Sequence, residues 1–269
     1  MSIFLIDSYR FAPPEGWDIS TAVFLQSFSV ASEETLPRGM FFKPDGLKMY
    51  VTGFTGDDVN EYDLSTPWDV STASFLQNFS VASEETLPRD VFFKPDGLKM
   101  YVIGGATVHE YDLSGAWDVS TASFLQDFST SSEENDGTGI FFKPDGTKMY
   151  FMGTIGDDVN EYDLSTPWDV STASFLQNFS VASQETTPTG LFFRPDGTKM
   201  YVIGTAGDDV HEYDLSGAWD VSTASFLQSF SVASEEATPT GVFFKPDGLK
   251  MYVIGTAGVD VNEYDLAVV

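Results

Sequence analysis

The 269-residue chain contains no cysteine. That excludes a disulfide scaffold, thiol nucleophiles and a thiolate zinc site, and it leaves the redox compartment open. Basic residues are scarce as well: 13 Lys and Arg stand against 41 Asp and Glu, for a net charge of -28. A surface so charged repels phosphate backbones and anionic membranes, which argues against nucleic acid and membrane as partners. Strong salt screens its self-repulsion, and a saline, extracellular or virion-associated setting is the expectation. No apolar run approaches the length of a spanning helix, and the N-terminal MSIFLIDSYRF lacks the basic start and apolar stretch of a secretion signal. The chain therefore reads as soluble. With 42% hydrophobic and 15% aromatic residues it has the material for a large core.

What is abundant is repetition. FFKPDGLKMY at 41–50 returns at 92–101 and 243–252, with FFKPDGTKMY at 141–150 and FFRPDGTKMY at 192–201. Trp17, Trp68, Trp117, Trp168 and Trp219 each open a WD[IV]STA block, at spacings of 51, 49, 51 and 51 residues. Units of about 50 residues mark a repeat architecture. Helical repeats are excluded because no stretch places apolar residues at helical spacing; each unit instead alternates short Phe-, Val- and Tyr-rich runs with clusters of Gly, Pro, Asp and Ser.

In the second unit four strands can be read from inner to outer, at 90–94, 99–104, 107–113 and 123–130. PDG makes the turn between the first two: proline presets its φ, aspartate favours the turn and glycine supplies the positive φ of a short hairpin. The expected fold is all-β, a five-bladed β-propeller of four antiparallel strands per blade, spanning 17–269 with repeats starting at 17, 68, 117, 168 and 219. The fifth unit ends at Leu266 without an outer strand, so an N-terminal strand, VFLQSFSV at 23–30, is expected to close the last blade. Residues 1–16 form an arm outside the repeat that pairs on an outer edge or crosses the bottom of the ring.

With its F-x-PDG-x-x-x-YV hairpin followed by V-x-x-[YI]-DL, the chain resembles the β-propeller repeats of the surface-layer and YVTN type across all five units, and is similar to propeller repeats common in predicted phage and marine bacterial proteins. The resemblance implies the fold and no activity, since propellers host lectins, enzymes and scaffolds alike.

On a propeller the loops divide between two faces. Those expected at the top carry Glu33, Glu34, Glu84, Glu85, Glu133, Glu134, Glu185, Glu235 and Glu236, together with Asp57, Asp58, Asp157, Asp158, Asp208, Asp209 and Asp260. The expectation is a solvated acidic rim. Its alternative is weak divalent-cation binding at Asp57, Asp58, Asp157, Asp158, Asp208 and Asp209, since oxygen ligands suit Ca²⁺ or Mg²⁺, although no EF-hand loop is present. No other cofactor is implied. Ten of the 13 basic residues flank the PDG turns at the bottom, where Asp63, Asp112, Asp163, Asp214 and Asp265 at the ends of the third strands are expected to pair with lysines.

Two sets of residues are candidates for ligand binding. Trp17, Trp68, Trp117, Trp168 and Trp219 could stack sugars in five similar pockets, with blade packing as the competing role. Arg38, Arg89, Thr138, Thr189 and Thr240 enter the innermost strands at the channel mouth and vary where their neighbours do not. His109 and His211 occupy equivalent positions held elsewhere by Asn60, Asn160 and Asn262, and read as structural. Catalysis by a glycoside hydrolase needs one acid and one base in differing environments, which near-identical units do not provide, so the chain reads as non-enzymatic. The leading functional expectation is a monomeric module for multivalent recognition of glycans or a repetitive surface. The alternative is a scaffold of recently duplicated or symmetrised blades with no ligand.

Overall fold

The computed structural model describes residues 16–267. The expected arm therefore lies outside the described residues, apart from Gly16. Twenty strands form five four-stranded antiparallel sheets. The first strand of the chain is β1 (Val23–Ser29), which is set aside for the last blade. Blade 1 is β2 (Pro37–Phe42), β3 (Lys48–Gly53), β4 (Asp58–Leu64) and β5 (Ala73–Ser80). Blade 2 is β6 (Asp90–Phe93), β7 (Lys99–Gly104), β8 (Thr107–Leu113) and β9 (Ala122–Ser129). Blade 3 is β10 (Gly137–Phe142), β11 (Lys148–Gly153), β12 (Asp158–Leu164) and β13 (Ala173–Ser180). Blade 4 is β14 (Pro188–Phe193), β15 (Lys199–Gly204), β16 (Asp209–Leu215) and β17 (Ala224–Ser231). Blade 5 is β18 (Pro239–Phe244), β19 (Lys250–Gly255) and β20 (Asp260–Asp265), completed by β1. The seam sets Val23 opposite Asp265 and Ser29 opposite Asp260. In the second unit the strands agree with the sequence reading to within one residue at each end.

The PDG turn joins the two innermost strands of each blade. In blade 1 Gly46 sits at φ 73°, and a Cβ there would lie 2.4 Å from the Trp68 ring, so glycine is required twice over. Each Trp seals a blade interface. Trp117 donates its N–H to the Gly97 carbonyl at 2.9 Å, while its own carbonyl accepts the Tyr50 hydroxyl of the preceding blade at 2.8 Å. Its ring stacks on Phe93 of its own blade at 5.7 Å and on Phe41 of the preceding one at 6.2 Å. At the hub, Phe41, Phe92, Phe141, Phe192 and Phe243 meet edge to face at 5.1–5.4 Å and close on themselves, flooring the channel.

The bottom lysines do pair with the third-strand aspartates, as Lys48 with Asp63 at 2.7 Å and Lys148 with Asp163 at 2.8 Å. Two partners were not read from the sequence. The turn aspartate takes the other lysine, Lys43 to Asp45 at 2.8 Å. A buried glutamate on each third strand, Glu61 in blade 1, accepts from Lys48 through Oε1 and from Gln77 at 2.9 Å through Oε2. The same Oε2 accepts the Val119 N–H of the next blade at 3.1 Å, and Gln77 also reaches Asp118, which caps the 3-10 turn Val119–Thr121. Glu110, Glu161 and Glu263 repeat the arrangement, while Glu212 keeps the lysine and glutamine bonds and its Gln228 reaches Asp18 of the next blade.

Candidate functional site

The innermost strands β2, β6, β10, β14 and β18 surround the axis, so residues at equivalent positions form rings. Arg38, Arg89, Thr138, Thr189 and Thr240 come together as the complete lining of one cavity of about 20 Å³ at the mouth. That is room for a water-sized group. The three threonines spend their hydroxyls on structure, each donating to the next blade: Thr138 to the Pro188 carbonyl and Thr189 to that of Pro239, both at 2.9 Å, and Thr240 to that of Pro37 at 3.1 Å. The two arginines leave capacity over. Arg38 lies over the Phe54 ring at 4.2 Å and Arg89 approaches the same ring at 5.7 Å. Asp136 engages Arg89 at 2.7 Å, whereas Arg38 has no ion pair among the described residues. The Nε atoms of both are buried without a hydrogen-bond partner. Burial and the neighbouring Arg89 hold the Arg38 guanidinium below its ordinary pKa, as expected where two like charges share a confined space.

Beneath the arginines the lumen holds a second cavity of about 20 Å³, lined by Met40, Val91, Ile140, Leu191 and Val242 above the phenylalanine floor, and by Asp90. Asp90 stands where the other blades have Gly39, Gly139, Gly190 and Gly241. Its carboxylate accepts the N–H of Val91 at 2.9 Å and that of Ile140 at 3.0 Å. Desolvation in this apolar lumen pushes it up to about 7.

The other candidates lie elsewhere. Trp17, Trp68, Trp117, Trp168 and Trp219 sit under the PDG turns at the opposite end of the blades, only 5–8% exposed, with their faces covered by phenylalanine and glycine. No open ring face remains there for a stacked sugar. Asp57, Asp157 and Asp208 take positive φ in the loops between second and third strands, while Asp58 and Asp158 are buried and accept from Asn60 and Asn78, and from Asn160 and Asn178. Asp209 faces Gly204 and Ser231 across its two ladders. Among the described residues no group of three His, Asp or Glu comes together in a way that could hold a metal. Nor is the top simply a solvated acidic rim. Glu34, Glu134, Glu185 and Glu236 are fully buried and bind loop N–H groups, as Glu34 does those of Leu36 at 2.7 Å and Thr55 at 3.0 Å. His109 and His211 are buried 3.7 Å and 3.8 Å from Glu85 and Glu185.

Phe54, Asp90 and Asp136 were not read as candidates from the sequence. The available signal was positional: each breaks its column, Phe54 against Gly105, Thr154, Thr205 and Thr256, and Asp136 against Leu36, Leu87, Thr187 and Thr238.

No family model and no curated protein matches the chain. Among solved structures it is similar to a protein of unknown function from Desulfotomaculum acetoxidans, with a TM-score of 0.51 at 15% identity over 87% of this chain and 68% of that one. A candidate 6-phosphogluconolactonase from Bacteroides uniformis gives 0.51 at 15% identity over 85% and 69%, and a protein from Lactobacillus plantarum 0.53 at 13% over 87% and 70%. At these identities the likeness concerns the propeller fold alone. Among the described residues no helix is long and apolar enough to cross a membrane.

Proposed function

We propose that this protein is a non-enzymatic binding module whose ligand presents a carboxylate, as an acidic glycan does, to the channel mouth. One observation carries the reading: the departures from five-fold repetition around the axis, Arg38, Phe54, Arg89, Asp90 and Asp136, converge on a single place. A chain kept only as a scaffold has no reason to gather them there. Two guanidiniums, one of them without a carboxylate among the described residues, match the planar fork of a ligand carboxylate. The small cavity has room for one oxygen of the carboxylate and leaves the rest of the ligand on the top face. The reading favours one site per chain over five, because the tryptophan rings are covered. Acid–base catalysis is not included in it, since Asp90 has no second acid within its lumen lining. A monomer in an extracellular or virion-associated setting, akin to surface-layer and YVTN propellers, fits the same proposal.

The test is isothermal titration of the whole chain with D-glucuronate, with D-glucose as the uncharged counterpart. The expected result is one glucuronate per chain and no glucose, with affinity reduced at least about tenfold in Arg38→Thr, the residue three blades already use. Equal binding by Arg38→Thr, or five equivalent sites, overturns the proposal.

A further inference from the structure

Asp90 occupies a place the fold otherwise reserves for glycine. A Cβ on Gly190 would meet the Gly241 Cα at 2.8 Å, and one on Gly39 would meet the Asp90 Cα at 2.6 Å, because the innermost strands nearly touch at this level. In blade 2 the same pairs form, Asp90 with Ile103 as Gly39 with Thr52, but the ladder is one pair shorter. In the other four blades the first two strands slip register next to this glycine, between Pro37 and Gly39 in blade 1, whereas β6 begins at Asp90 and pairs without a slip. The side chain so housed receives one backbone N–H on each oxygen and, among the described residues, meets no cation.

The charged groups around it are few. β2 carries Arg38, on Phe54; Arg89 immediately precedes β6 and is held by Asp136 from the loop before β10. The levels above Asp90 on β10, β14 and β18 present Thr138, Thr189 and Thr240, which are uncharged. The buried Glu34, Glu134, Glu185 and Glu236 are committed to N–H groups of the top loops, and Glu85 to Leu87 and His109.

We propose that anion capture at the mouth is coupled to proton uptake by Asp90, so that the site fills in mildly acidic medium and empties above neutrality. This rests on the functional reading above. An anion held between Arg38 and Arg89 stands over the lumen that holds Asp90, and a second negative charge in that water-poor space opposes it. Linkage makes the effect reciprocal: the anion favours the proton, and the proton favours the anion by the same factor. Burial, offset in part by the N–H bonds from Ile140 and Val91, brings the carboxyl to about 7, so the transition falls across neutrality. Below that point Asp90 is neutral and the anion meets no repulsion. Above it the affinity drops, by about tenfold between pH 6 and pH 9 for a coupling of one pH unit.

The experiment is glucuronate titration of the full chain at both pH values, in buffers of differing ionisation enthalpy, on the wild type, Asp90→Asn and Asp90→Gly. Glycine is the residue of the other four blades, so it keeps the test open if asparagine disturbs the ladder. Net proton uptake and the tenfold loss in the wild type, both absent from the variants, support the proposal. Binding by the wild type without proton uptake, or a pH slope retained by both variants, overturns it. A carboxyl-carbon NMR titration that places Asp90 below about 5, in the ordinary carboxylate range, overturns it while leaving the binding reading intact. Absence of glucuronate binding at pH 6 overturns the binding reading, and the coupling falls with it.

Discussion

Replacing Glu161 by alanine tests what holds the ring together. The side chain is 1% exposed, with Oε1 2.5 Å from Lys148 and Oε2 accepting from Gln177 and from the Val221 N–H of the next blade, both at 3.0 Å. Its removal leaves Lys148 on Asp163 at 2.8 Å and Gln177 on Asp220 at 2.7 Å, so neither is orphaned. The Val221 N–H is. Leaving a buried donor unmade costs about 1–3 kcal/mol, and a lost charge-assisted bond adds about 1.5–3. Breaking a buried pair outright costs about 3–5 kcal/mol, and the fallback partners of Lys148 and Gln177 argue for the lower end, about 3. Glu161→Gln keeps an acceptor for Val221 and should cost about half as much. The assay is urea unfolding followed by tryptophan fluorescence and far-ultraviolet dichroism together, so that blade-by-blade melting would show as separated transitions. Because Glu61, Glu110 and Glu263 repeat the node, their alanine variants serve as replicates. Losses below about 1 kcal/mol throughout would refute the assignment of this glutamate as the tie between blades.

Gly97 lies at φ 74° with a would-be Cβ 2.4 Å from the Trp117 ring, so Gly97→Ala should lower Tm by several degrees, and an unchanged Tm would contradict the turn argument. Hydrogen bonds from Ser71, Ser120, Ser171 and Ser222 hold Asp69, Asp118, Asp169 and Asp220 below the usual carboxylate range; the stability they add is present above about pH 4 and should fade as pH falls through their depressed values, an acid loss that Ser→Ala at these sites would reduce. Asp90 has the opposite sign. Its raised pKa means stability lost as pH rises from about 4 towards 7, so the Tm gap between Asp90→Gly and the wild type should move in favour of glycine across that window and flatten above it. Calcium at millimolar concentration should leave Tm unchanged, and a clear rise would establish a cation site on the top loops.

The propeller was legible because its signals are local and repeated five times. PDG names its turn, a fifth unit without an outer strand names its closure, and period and strand length name the blade. The mouth was half legible. Arg38, Arg89 and their column were visible because they vary, but Asp90, next to Arg89, was passed over because only the ring geometry puts a lone carboxylate in a lumen. Tryptophan left two roles open for a physical reason: an indole that stacks on sugar and one that stacks on Phe93 carry the same sequence. Glu61 and its repeats looked like ordinary strand polars, since nothing in one blade's sequence reveals that the partner N–H belongs to the next.

The seam between β1 and β20 bears on how the molecule answers to force. Val23 and Asp265 lie opposite each other at one end of this ladder, so once the anchor of Trp17 on Gly248 and Tyr201 has yielded, tension applied through the flanking segments falls on one end of an antiparallel ladder. The hydrogen bonds then break in succession, as in a zipper, instead of resisting together in shear. Under load the fifth blade should give way first once Trp17 is released, opening the circle into a chain of four sheets, while a pull between the first and second blades meets Glu61 and Trp117 together.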